Sequence, residues 1–155
     1  MTDAIERLAA AGIVLDAPAV PVANYVPCRL VMDRLLFVSG QGTRRDGTFR
    51  LLGKIGRELS IDDGCAAARL CGLNILAQVN AFCGLSRVRE VVKLTGFVNT
   101  TEDVRDLPRI LDGASDLMGL AFGEAGRHAR TTVGVSSLPF GMAVEVEAIF
   151  DLNPS

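Results

Sequence analysis

The stretch from Ser60 to Gly84 constrains the fold most. Ser60 has the side chain of a helix N-cap, and Asp62 and Asp63 suit the positive end of a helix. Cys65, Ala68, Gly72, Ile75, Leu76, Val79, Phe82 and Cys83 then recur at helical spacing until Gly84 stops the run. Val88 to Val98 follows as a long strand rich in β-branched residues. Asp103 to Gly123 forms a second amphipathic helix, striped by Val104, Leu107, Ile110, Leu111, Ala114, Leu117, Met118, Ala121 and Phe122. Pro108 moves its expected start later than the stripe suggests. Two more strands, Arg130 to Ser137 and Ala143 to Asp151, are joined by Leu138 to Met142 and read as a hairpin.

Ahead of the long helix the pattern is looser. Leu35 to Val38 is a short strand closed by Ser39-Gly40-Gln41-Gly42, and Asp46-Gly47 marks a turn before an edge strand through Phe49 to Leu52. Thr2 to Gly12 forms a short helix. Pro18, Pro21 and Pro27 keep the next segment extended. The 155 residues fit one domain spanning 1–155, with 1–21 as a helical extension and linker. This order makes an α+β fold: a mixed β-sheet with two helices packed on one face. On the last strand Val144, Val146, Ala148 and Phe150 meet the helices, while Glu145, Glu147 and Ile149 point away. On the central strand Val88, Val92, Leu94 and Val98 line one face, with Val91 and Phe97 on the other. A second face of aliphatics, an aromatic and carboxylates suits burial against a partner, so an oligomer is expected.

Several classes fall away. With 16 Lys+Arg against 18 Asp+Glu there is no general attraction to nucleic acid or anionic membrane. The longest uncharged run, Leu70 to Ser86, is broken by Asn74, Gln78 and Asn80 and is too short to span a bilayer. Asp3 and Glu6 stand where a signal peptide needs positive charge, so a cytoplasmic location is expected. Cys28, Cys65, Cys71 and Cys83 lack metal-ligand spacing and read as free thiols. Cys65 and Cys83 lie on the apolar stripe of the helix, where cysteine packs as a small hydrophobe. Neither a metal nor a cofactor is called for.

Arg130 and Glu145, on strands expected to pair, are the leading candidates for chemistry. An arginine can hold a carboxylate bidentately, and a glutamate beside it can position water or pass a proton. A cross-strand or intersubunit salt bridge accounts for the same two residues. His128, the single histidine, either assists by titrating or is a loop residue without a special role. Gly40-x-Gly42 lacks a dinucleotide fingerprint, though a tight turn there can offer N–H groups to an anion. Arg44-Arg45 and Arg127 to Arg130 are basic clusters that read as solvated surface.

His128-Ala129-Arg130-Thr131-Thr132-Val133-Gly134-Val135, then Leu138-Pro139, then Val144-Glu145-Val146-Glu147-Ala148-Ile149 resembles the signature of the YjgF/RidA (L-PSP endoribonuclease) family. Leu36-Phe37-Val38-Ser39-Gly40-Gln41 resembles that family's second strand and turn, and Val92 to Val98 its central strand. The likeness runs from about residue 22 to 151.

This resemblance implies a chorismate-mutase-like fold and a homotrimer with ligand clefts between subunits. It implies hydrolysis of reactive 2-imino or enamino acids to 2-keto acids and ammonia. Arg130 would bind the substrate carboxylate, Gly40 and Thr132 would make backbone contacts, Tyr25 would line the cleft and Glu145 would orient the attacking water. The partners implied are further copies of the chain and a small carboxylate-bearing metabolite. A non-catalytic metabolite-binding trimer is the alternative. A ribonuclease is disfavoured by one histidine, an acidic balance and the lack of metal-ligand spacing. The chain departs from the family at His128-Ala129, at Ala23-Asn24-Tyr25-Val26-Pro27, at Pro108 and in its N-terminal helix, which points to a reshaped pocket.

Overall fold

A computed structural model describes residues 3–155, so Thr2, expected to start the first helix, lies outside the described residues. The elements are α1 (Ala4–Ala10), β1 (Cys28–Val31), β2 (Leu35–Gln41), β3 (Arg44–Arg45), β4 (Thr48–Phe49), α2 (Ile61–Cys83), β5 (Val88–Asn99), α3 (Leu107–Phe122), β6 (Ala129–Val135) and β7 (Val144–Leu152). The main sheet has the order β1-β2-β7-β5-β6. β5 and β6 run parallel through the α3 crossover, and the other neighbours are antiparallel. This is the expected α+β architecture, with α2 and α3 on one face and α1 against α3.

Helix boundaries follow from the capping chemistry. The Asp63 N–H donates to Ser60 Oγ at 3.1 Å and the Ser60 N–H donates to Asp63 Oδ2 at 2.9 Å, a reciprocal pair that satisfies two orphan donors of α2. Gly84, at φ 81°, ends that helix. Pro108 sits in the first turn of α3, where a missing N–H costs nothing, so the helix begins at Leu107 and not at Asp103. The two helices touch through small residues. A Cβ on Gly113 would collide with the Cys65 carbonyl, and one on Gly72 would meet Leu117 and Ala114. The thiol fully buried between helix and sheet is Cys71; Cys65 and Cys83 are half-buried, and Phe82 is exposed.

The expected C-terminal hairpin does not form. β5 lies between β6 and β7, so the strands carrying Arg130 and Glu145 are not neighbours. The β5–α3–β6 crossover places β6 on the outer side of β5. β7, whose Val144, Val146, Ala148 and Phe150 are buried, fills the slot between β2 and β5. The faces of β7 are as expected, but the N-terminal half of β5 is not. Val91 is buried and Val92 exposed, because a register shift between Val91 and Lys93 reverses the alternation. β2 runs on to Gln41 instead of closing at Ser39. The expected strand through Leu52 shrinks to Thr48–Phe49, since Leu51 takes a φ of 50°. Away from the helices, Phe37, Val92 and Val133 are exposed on the open face of the sheet. None of the helices among the described residues is long and apolar enough to cross a membrane.

Candidate functional site

Between Val38 and Gln41, β2 carries one residue more than the β7 segment from Ala148 to Val146 that it pairs with. The bulge bends β2 beside Glu145, a placement typical of functional rims. Gly40 sits at the bulge because the Glu145 side chain lies over its Cα: a Cβ there would overlap the carboxylate. The two residues line a cleft of about 680 Å³, with Glu147 and Tyr25 also in its wall. Glu145, Gly40 and Tyr25, three of the five expected site residues, are thus brought together.

The rest of the cleft comes from segments without periodicity. Residues 19–23 form one wall, and Phe49, Phe140 and Met142 another. The N-terminal segment is tethered by polar groups that interrupt the apolar run of α2 and by the strands beside it. Gln78 Nε2 donates to the Ala19 carbonyl at 2.7 Å and to Gln41 Oε1 at 3.4 Å. Ser39 Oγ donates to the Val26 carbonyl at 2.7 Å, and Arg45 meets Asp16 at 3.3 Å. Asn74 Nδ2 donates to the carbonyls of Gly42 and Arg44 at 2.9 and 2.8 Å, fixing the chain that leads to the cleft rim. Arg44, expected at solvated surface, is half-buried and lines the cleft. The interruptions at Asn74 and Gln78 were the available signal for these contacts.

Burial pushes the Glu145 carboxyl above the ordinary carboxylate range, and the nearby Glu147 pushes it further. Arg130 does not offset this. Arg130 pairs in register with Leu94, whose side chain is in the core, and reaches α3 on the helix-covered side. Glu145 pairs with Phe97 on the open side. Within one chain the two side chains therefore cannot meet. Arg130 Nη1 donates to Asp112 Oδ1 at 2.7 Å and Ser115 Oγ at 3.1 Å, and its Nη2 donates to the Pro108 carbonyl at 3.0 Å. Thr132 lies on the same edge strand, paired with Gly96 and away from the cleft.

His128 belongs to that second cluster. Its Nδ1 is 2.6 Å from the Gly126 carbonyl and its Nε2 is 2.9 Å from Ser115 Oγ. A carbonyl only accepts, so Nδ1 carries the proton and, in the neutral ring, Nε2 accepts from the Ser115 hydroxyl. His128 thereby orients the serine that accepts from Arg130. Two buried thiols are poor nucleophiles. Burial raises Cys28 to about 11 and drives Cys71 higher still. Among the described residues, no three His, Cys, Asp or Glu side chains group as metal ligands.

Residues 5–150 match a family model described as "YjgF/chorismate_mutase-like, putative endoribonuclease". Over 144 residues the chain is 45% identical to Protein TCP17 of Trypanosoma cruzi, covering 92% of this chain and 89% of that protein. A protein of unknown function from Agrobacterium tumefaciens superposes with a TM-score of 0.90 at 39% identity, covering 97% of this chain and 92% of the other. RidA from an Antarctic Psychrobacter gives a TM-score of 0.61 at 26% identity, with 90% and 97% of the two chains covered.

Proposed function

This chain belongs to the YjgF/chorismate-mutase-like family, and on that premise we propose that it is a deaminase hydrolysing reactive 2-imino or enamino acids to 2-keto acids and ammonia. The observation that carries the reading is Glu145, a carboxyl of raised proton affinity laid over Gly40 inside a cleft. Imine hydrolysis needs little more than a held substrate, a positioned water and a group that trades protons near neutral pH. On the protonated imine, the Glu145 carboxylate takes a proton from water as the water oxygen bonds to C2 and the C=N π pair moves to nitrogen, giving a neutral carbinolamine. The carbinolamine then collapses: Glu145 returns the proton to nitrogen, and the C–N bond breaks as the hydroxyl gives its proton to the same carboxylate. A 2-keto acid and ammonia leave while the carboxyl passes that proton to solvent.

The reading places the chain in a homotrimer in the cytoplasm, with its open sheet face covered by the other copies. Exposed Phe37, Val92 and Val133 on that face support this. In such an assembly Arg130 and Thr132 of edge strand β6 complete the cleft of an adjacent subunit, and Arg130 holds the substrate carboxylate. Its contacts to Asp112, Ser115 and Pro108 leave part of the guanidinium free for that role. Tyr25 lines the same space.

Generating 2-iminopropanoate in situ with an amino-acid oxidase and following its decay tests the proposal. The protein accelerates the decay and Arg130→Ala loses at least tenfold of the effect. A decay rate equal to the spontaneous one refutes the deaminase reading for small imino acids, and ligand binding without turnover leaves a metabolite-binding trimer in its place.

A further inference from the structure

The proposed reaction leaves an electrostatic problem inside the cleft. Glu145 and Glu147 both line it, so an anionic substrate entering from solvent meets two carboxyl groups. Arg130 of the same chain lies on the other side of the sheet and is already paired with Asp112. The cleft does contain one arginine from its own chain, Arg44.

Arg44 is half-buried in the cleft wall rather than free on the surface. Its guanidinium carbon lies 5.8 Å from the centroid of the Phe49 ring. A cation held against an aromatic face keeps its N–H edge free for a ligand. Among the described residues it has no carboxylate partner, whereas its neighbour Arg45 meets Asp16. Asn74 holds its backbone carbonyl from α2 at 2.8 Å.

Beside it is an apolar shelf. Phe49 stacks on Phe140 with centroids 4.6 Å apart and planes 19° from parallel. Phe140 is nevertheless 59% exposed, with a φ of 59° that a bulky L-residue rarely adopts. An exposed aromatic held in a strained conformation at a cleft mouth is a functional signature. Val20 and Val22, also exposed, line the same cleft from the N-terminal segment.

We propose that Arg44 is an anion-binding residue of the Glu145 cleft, and that with Phe49, Phe140 and the 19–23 segment it selects carboxylates bearing a sizeable flat or apolar group. The inference rests on the Glu145 cleft being the ligand site, but not on imine turnover. It assigns specificity to a residue that reaches the ligand from the same chain as Glu145. It also gives the segment ahead of β1 a purpose as the apolar wall opposite the aromatic shelf.

Calorimetric titration of the full chain with phenylpyruvate and with pyruvate, stable 2-keto acids of the product class, provides the test. Phenylpyruvate binds at least tenfold tighter than pyruvate. Arg44→Ala weakens phenylpyruvate at least tenfold, Arg44→Lys falls between, and Phe140→Ala weakens phenylpyruvate while sparing pyruvate. Melting temperatures of the same samples identify any variant that fails to fold, and Arg44→Lys then carries the comparison. Equal affinity for the two acids, no binding of either, or an Arg44 variant that is folded and binds like the parent overturns the inference. Hydrolysis of 2-iminopropanoate that ignores Arg44, with no Arg44-dependent binding, sinks this inference and leaves the deaminase standing. Arg44-dependent binding without any imine turnover does the reverse.

Discussion

Two charged regions sit on opposite faces of one sheet. Around Arg130, every polar group named has found a partner within the chain: Asp112, Ser115, His128 and the carbonyls of Pro108 and Gly126 close a continuous network. Around Glu145, the charges face a cleft. Glu147 adds to the cost of charging Glu145 rather than relieving it, and Arg44 leans on an aromatic ring instead of an acid. A paired network fixes an element in place, here α3 against edge strand β6, and leaves only the unused edge of the Arg130 guanidinium for a ligand. Charges held apart from their own kind of partner keep their interaction energy for something that arrives from outside.

That contrast can be broken by substitution. The largest effect belongs to Glu145→Gln, which should lower the turnover of imine hydrolysis by roughly a hundredfold or more, as loss of a general base does. A variant with full activity would move the chemistry away from the cleft. Gly40→Ala comes next. Its methyl must displace the Glu145 carboxylate, so activity should fall about tenfold with stability down by about 1–3 kcal/mol. Asp112→Asn, on the other side of the sheet, should act on stability instead. Replacing one charge of the Arg130 pair should lower the melting temperature by about 2–4 °C, whereas an unchanged melting curve would deny the network its structural part.

The smallest effect concerns pH and separates the two regions most cleanly. The Glu145 carboxyl has a raised pKa in the folded chain, so the folded state holds its proton more tightly than the unfolded state does. The stabilisation from that proton is complete below the unfolded value and is lost as pH rises through the folded one. Glu145→Gln should therefore raise the melting temperature at pH 7 by on the order of 2 °C and leave it unchanged near pH 4. A drop at pH 7 would mean that the carboxylate is stabilised where it stands.

The helices were legible from the sequence because caps and periodicity are local. Ser60, Gly84 and Pro108 each act within one turn of chain. The alternation on β7 was legible for the same reason. Which strand lies beside which was not, because alternation reports the buried face and carries no information about the neighbour. Arg130 and Glu145 were for that reason placed together when β5 separates them. A bulge is equally silent, and the one at Val91 to Lys93 exchanged two valines between faces. Glu145, Gly40 and Tyr25 converge on one cleft, whereas the cleft's N-terminal wall was not placed there and Arg44 was read as solvated surface. Their places depend on contacts from Gln78 and Asn74, distant in sequence, and on the Phe49 ring that the β3–β4 pairing sets beside Arg44.

The position of β7 has a consequence for how the molecule comes into being. Of the five strands of this sheet, β7 comes latest in the sequence and is inserted between β2 and β5, so no earlier length of the sheet's chain can close it. Until Val144 to Leu152 emerges, β1–β2 and β5–β6 wait as separate ribbons with two unpaired inner edges. Pairings this distant in sequence are slow to form and open to misassembly while they wait. The same nine-residue strand brings Glu145, so the carboxylate reaches its cleft only in the step that completes the sheet.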